Sequence, residues 1–187
     1  SLAATGYADD TEIYFAQATV DNQENKPAAN VLFLIDTSGS MNGNRMRDLK
    51  AAFNQVVSGL GEDISVGVGR FNNSRDSSGY GGYVFYPVTP MTESVKVDIK
   101  DAVSGLPASG NTPTHESYTE MVRYMLGEEP SNYAKSELSL VTANKPRPAV
   151  NMKQKCRGTK CSWESDSRYE SPINYKTQCE SNHIIVM

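Results

Sequence analysis

An unbroken apolar run, Val31-Leu32-Phe33-Leu34-Ile35, stops abruptly at Asp36-Thr37-Ser38-Gly39-Ser40-Met41. A continuous aliphatic and β-branched run of this length predicts a strand buried on both faces, as the parallel strands of α/β sheets are. The carboxylate and hydroxyls then emerge at the strand's carboxyl end, where open α/β sheets place their sites. Asp36, Ser38 and Ser40 are spaced by two, so a tight turn eased by Gly39 and running into the next helix aims their oxygens at one point. Hard oxygen donors gathered in this way suit Mg²⁺, Mn²⁺ or Ca²⁺ and suit zinc or copper poorly. The local alternative is that these hydroxyls cap a helix start, since serine and threonine favour turns and N-caps.

The flanking sequence alternates between β and α signals. Met46, Leu49, Phe53, Val56, Val57 and Leu60 fall at helical spacing on one face. Ile64 to Phe71 alternates as a strand, Asn72 to Gly82 is a hairpin loop, and Tyr83 to Val88 is its return strand. Pro87 puts that return strand at a sheet edge, because proline has no N–H to give to a ladder. A second helix is expected from about Thr92, with Val95, Ile99, Ala102, Val103 and Leu106 on one side. The loop Gly110-Asn111-Thr112-Pro113-Thr114 leads into a third, from Thr114 to Leu126, carrying Tyr118, Met121, Val122 and Met125 inward and ending near Gly127. Upstream, Glu12 to Ala16 is a short strand, followed by a polar linker from Asp21 to Asn30.

From Glu128 to Ser181 the periodicity is lost in a polar stretch longer than the usual connection of a compact domain. It carries Lys145, Arg147, Lys153, Lys155, Arg157 and Lys160 with no acid between them, which makes either a solvated loop or a patch for an anionic ligand. Of the three cysteines, Cys156 and Cys161 fit an oxidised pair closing a small loop, and Cys179 is left free or paired outside the chain. Two cysteines with no second pair make a poor zinc site. The run His183 to Met187 predicts a second buried parallel strand.

The Asp36-x-Ser38-x-Ser40 segment after a buried strand, with Thr112 in a loop before a later helix, resembles the metal-ion-dependent adhesion site of von Willebrand factor type A domains. The resemblance implies an α/β, Rossmann-like fold with a mostly parallel central sheet, one antiparallel edge strand and helices on both faces. It implies a divalent cation, Mg²⁺ or else Mn²⁺ or Ca²⁺, bound directly by Ser38 and Ser40, by Thr112 directly or through water, and by Asp36 mostly through water. A partner's carboxylate would take the open position. The family's third segment, commonly Thr-Asp-Gly, follows a strand like the one ending at Met187. A further aspartate is therefore expected beyond Met187, the domain is expected to be truncated before its last strands, and the cation site of this chain alone is left incomplete.

The opening Asp9 to Phe15, the Asp36 to Met41 segment, and Ser171-Pro172-Ile173 leading through Cys179 to His183 to Met187 together resemble the amino-terminal region of type IV pilus tip adhesins, the PilC/PilY family. That resemblance implies export with the signal peptide already removed, a place at the pilus tip, and roles in attachment and pilus biogenesis or sensing. Its implied partners are a protein or a host or abiotic surface, and pilus minor subunits. The expected organisation is a leader strand and linker over 1–30, then a partial type A domain over 31–187 with an insertion at about 128–181. The alternative is an intracellular type A scaffold for multiprotein assembly.

Other classes lack their residues. A net charge of −4 gives no basic domain for nucleic acid. No apolar run approaches the roughly 20 residues of a membrane span. Asp36-Thr37-Ser38-Gly39 departs from the Asp-Thr-Gly of aspartic proteases by a displaced glycine and an α/β setting. No nucleophile elbow or phosphate-binding loop is present, and His115 and His183 have ordinary packing or surface roles. An enzyme is not expected.

Overall fold

The computed structural model describes residues 29–72, 81–131, 134, 150–157, 160–173 and 180–187. The strand expected at Glu12 to Ala16, most of the linker after it, and Cys179 lie outside these residues.

Four strands form one sheet: β1 (Ala29–Ile35), β2 (Ile64–Phe71), β3 (Gly82–Pro90) and β6 (Ser181–Val186), in the order β3-β2-β1-β6. The run Val31 to Ile35 sits inside β1, which pairs in parallel with β2 on one side and β6 on the other. The β2–β3 pair is antiparallel, and β3, with Pro87, is an edge strand. The sheet is thus mostly parallel with one antiparallel edge strand, as the sequence pattern predicts.

Alternation along β1 sends its side chains into two cores. Phe33 and Ile35 join Phe53 and Val57 of α1 (Asn44–Gly59) and Ile99 and Val103 of α2 (Glu93–Ser104). Phe33 and Phe53 meet edge to face, with ring centroids 5.4 Å apart. Leu32 and Leu34 face the other way and join Met121, Tyr124 and Met125 of α3 (Thr114–Leu126). Among the described residues, two helices on one face and one on the other give a three-layer α/β/α arrangement. Gly82 lets α3 sit close to β3: a Cβ there would lie 2.6 Å from the Arg70 carbonyl and 2.8 Å from the Ser117 side chain. The helix ends at Gly127, whose φ of 67° is the left-handed cap that glycine adopts without strain.

Several expectations change. Val56 is 45% exposed, because α1 turns Met46, Phe53 and Val57 inward and leaves Val56 on the flank. Tyr118 is 43% exposed: α3 buries Ser117 and Glu120 beside Met121, which rotates the inward face away from the apolar stripe. The strand β6 is parallel to β1 as expected but not buried; Ile185 and Val186 are exposed because β6 is the outermost strand among the described residues.

The polar stretch also contains regular structure. Residues β4 (Val150–Arg157) and β5 (Lys160–Tyr169) pair as a two-stranded antiparallel ribbon. Its far end is anchored by Tyr169, which is buried with Leu32 and Leu34 and meets the Tyr124 ring edge to face at 5.6 Å. Among the described residues, no helix is long and apolar enough to cross a membrane.

Candidate metal centre

The loop after β1 is built from backbone contacts on three sides. The Asp36 N–H donates to the Met187 carbonyl at 2.8 Å, so the parallel ladder with β6 extends to the loop's first residue. Thr37 is buried, and its hydroxyl donates to the Phe71 carbonyl at the end of β2, 3.0 Å away. The Ser109 N–H donates to the Thr37 carbonyl at 2.8 Å and the Gly39 N–H to the Gly110 carbonyl at 3.1 Å. These last two bonds latch the loop that carries Thr112 against the loop that carries the serines.

Within that frame the Ser38 N–H donates to Asp36 Oδ1 at 2.7 Å, a local turn that fixes the carboxylate. A short 3₁₀ turn, Gly39–Met41, then brings the Ser38 and Ser40 hydroxyls to 2.9 Å from each other. Ser38 is buried and Ser40 is exposed, so the oxygens sit at a mouth closed on the sheet side and open to solvent. The capping alternative does not hold. Gly43 precedes α1 and Pro113 precedes α3, neither cap receives a side-chain bond, and Ser38 caps the 3₁₀ turn without one.

Thr112 lies on the exposed surface two residues beyond the Gly110 latch, and its carbonyl accepts from the Thr114 N–H at 2.9 Å. Among the described residues its hydroxyl makes no hydrogen bond to the serines. The structure therefore gathers Asp36, Ser38 and Ser40 into one turn and docks the Thr112 loop beside it. His115 and His183 are both exposed. Thr37 and Gly110, which hold the site together, escaped the sequence reasoning; Thr37 lies inside the motif, but nothing in the sequence shows that its hydroxyl is buried. Arg45, also unanticipated, donates to the Ser40 carbonyl at 3.0 Å from an exposed position, where solvent ions screen its charge.

The donor chemistry fits a hard divalent cation. One carboxylate and two hydroxyls, all oxygen, supply the ligand type that Mg²⁺, Mn²⁺ and Ca²⁺ take. Among the described residues no three His, Cys, Asp or Glu side chains gather, so the softer ligand set of a zinc centre is not assembled there. In the ribbon, Cys156 and Cys161 are direct register partners.

No curated protein matches this chain. Two solved structures of the pilus adhesin SpaC from Lactobacillus rhamnosus GG are similar to it. One is 23% identical over 48% of this chain and 12% of its own length, with a TM-score of 0.39. The other, in an open conformation, is 18% identical over 76% of this chain and 19% of its own length, with a TM-score of 0.40. This chain thus spans less than a fifth of that adhesin's length in either structure. Residues 30–153, well over half of the sequence, match the von Willebrand factor type A domain, and the chain belongs to that family.

Proposed function

We propose that this chain is a non-enzymatic, divalent-metal-dependent adhesion module that binds a protein or surface ligand through a carboxylate. The observation that carries the proposal is the pair of Ser38 and Ser40 hydroxyls, 2.9 Å apart beside Asp36, with no side-chain cap bond made by Ser38 to the turn that follows. Ser38 and Ser40 would hold the cation, with Asp36, which accepts the Ser38 N–H, and Thr112 of the latched loop as the further oxygen donors. Mg²⁺, Mn²⁺ or Ca²⁺ supplies, when bound, a positive centre with a position left for an incoming carboxylate. Ser40 and Thr112, both exposed, form the rim at which that carboxylate arrives.

The proposal extends to a further aspartate beyond Met187, supported by the way the β6 ladder ends against Asp36. It includes an exported protein of the type IV pilus tip, acting with pilus minor subunits and without nucleic acid, as the sequence resemblance implies. It also includes a disulfide between Cys156 and Cys161: directly opposed residues of an antiparallel ladder have Cα atoms about 4.5–5.5 Å apart, within the range a disulfide spans.

The test is isothermal titration of Mg²⁺, Mn²⁺ and Ca²⁺ into this chain and into one extended by about 100 residues, enough to complete a single domain. Each is compared with its Ser38→Ala, Ser40→Ala variant. Binding in the extended form that the double substitution removes supports the proposal. Two folded proteins that bind none of the three ions overturn it.

A further inference from the structure

Away from the candidate metal centre, Glu120 is buried on α3 and bonded on more than one side. Its carboxylate accepts from the Tyr169 hydroxyl at 2.5 Å and from the Ser131 N–H at 3.2 and 3.3 Å. A buried carboxylate needs such donors, and losing one leaves the charge undercompensated. Tyr169 is the last residue of β5, so this bond joins the ribbon to the helix. Three further contacts converge there: the Tyr169 N–H on the Glu128 carbonyl at 3.0 Å, the Ser171 hydroxyl on the Met125 carbonyl at 2.5 Å, and the edge-to-face Tyr124 and Tyr169 rings.

The other end of the same helix belongs to the candidate metal centre. Helix α3 begins at Thr114, two residues after Thr112, and Glu120 lies six residues on, about 9 Å along the axis. Between them Ser117 is buried where α3 approaches Gly82 of β3 closely. A stiff helix clamped this closely transmits a constraint at Glu120 to the loop at its amino end.

We propose that the Tyr169–Glu120 contact is a positioning lock through which the β4–β5 ribbon sets the place of α3 and hence of the Thr112 loop. The cation-binding part of this proposal rests on the function proposed above; the positional part does not. Tyr169 and Glu120 are positioning residues, acting on the centre through the helix.

The experiment compares wild type with Tyr169→Phe by amide hydrogen exchange without metal and by Mn²⁺ titration. Tyr169→Phe keeps the ring contact and removes only the donor. Ser171→Ala provides a milder second break of the same joint. Val103→Ala, in the core on the opposite face of the sheet, controls for general loss of stability. Faster exchange at residues 109–112 in Tyr169→Phe and Ser171→Ala, beyond that of Val103→Ala at matched stability, supports the lock. Exchange there that follows global stability alone in all three variants overturns it. If wild type binds Mn²⁺, a several-fold weakening in Tyr169→Phe adds support, and unchanged affinity overturns the cation-binding part of the proposal. If neither wild type nor the chain extended by about 100 residues binds Mn²⁺, the proposed function fails while the exchange result still decides the lock.

Discussion

The Ser38 and Ser40 hydroxyls share a hydrogen bond of 2.9 Å although one side chain is buried and the other exposed. The bond is made by the 3₁₀ turn between them and supports no helix, so its removal should scarcely affect the fold. Ser40→Ala is expected to change stability by less than about 0.5 kcal/mol, as surface substitutions usually do. In the chain extended by about 100 residues, the same substitution should weaken Mn²⁺ binding by about tenfold or more, the loss of ~1.4 kcal/mol. Thermal unfolding and titration of one preparation check both halves of the expectation.

Thr37→Val tests the frame around the centre without touching the oxygens that face it. The buried hydroxyl donates to the Phe71 carbonyl, which also accepts from Arg70 Nε at 3.1 Å, so its loss removes one of two donors at a cost of about 0.5–1.5 kcal/mol. Urea unfolding should show this as a lower midpoint with an unchanged slope.

Gly82→Ala is expected to be more harmful than an ordinary glycine-to-alanine change. The added methyl would meet the Arg70 carbonyl at 2.6 Å, and backbone cannot swing aside as a side chain can. A loss of about 1–3 kcal/mol is expected from such overpacking, measured by urea unfolding. Phe53→Ala, by contrast, empties the edge-to-face contact with Phe33 and should cost about 3–5 kcal/mol.

Alkaline pH should loosen the joint between ribbon and helix. Burial first, and the negative charge of Glu120 second, push the Tyr169 hydroxyl far above the ordinary phenol value of 10.0; nearby Arg123 opposes this only in part. Burial likewise raises Tyr124. The folded state therefore holds both phenols neutral after the unfolded chain has begun to ionise. Their contribution to stability is fully present below pH 10 and is lost above it, by up to about 1.4 kcal/mol per pH unit for each group. Urea unfolding between pH 9 and pH 11 should show the fall, and Tyr169→Phe should show a shallower one.

Much of this architecture is legible in the residues because burial and periodicity write it there. Val31 to Ile35 announces β1, Pro87 marks the edge, and Thr92 and Gly127 bound α2 and α3 close to where the helices start and stop. What stays hidden depends on polar groups whose partners are remote in sequence. The inward face of α3 is turned by Ser117 and Glu120, and Glu120 is buried because Tyr169 and Ser131 reach it. The ribbon is hidden for a related reason: strands as polar as β4 and β5 lack the apolar alternation that identifies a half-buried strand. At the candidate centre, Asp36, Ser38 and Ser40 are local and therefore readable together, whereas the Gly39–Gly110 latch joins loops that no spacing connects.

The pairing of β1 with two partners has a consequence for the order of assembly. β2 follows β1 closely, but β6 must return across a far longer stretch; Asn30 and Asn182, bonded through their side chains at 2.9 Å, are 152 positions apart. Closing the longer loop costs more chain entropy, although the penalty grows only logarithmically with length. During synthesis β1, β2, β3, α1 and α2 can meet while the ribbon is still unmade, and the far edge of β1 then waits with its hydrogen-bonding groups open. A strand of unbroken apolar residues is most exposed to wrong partners in that interval. The arrival of β6 covers that edge, and because the chain after it accepts the Asp36 N–H at the Met187 carbonyl, the same step pins the first residue of the loop that carries Ser38 and Ser40.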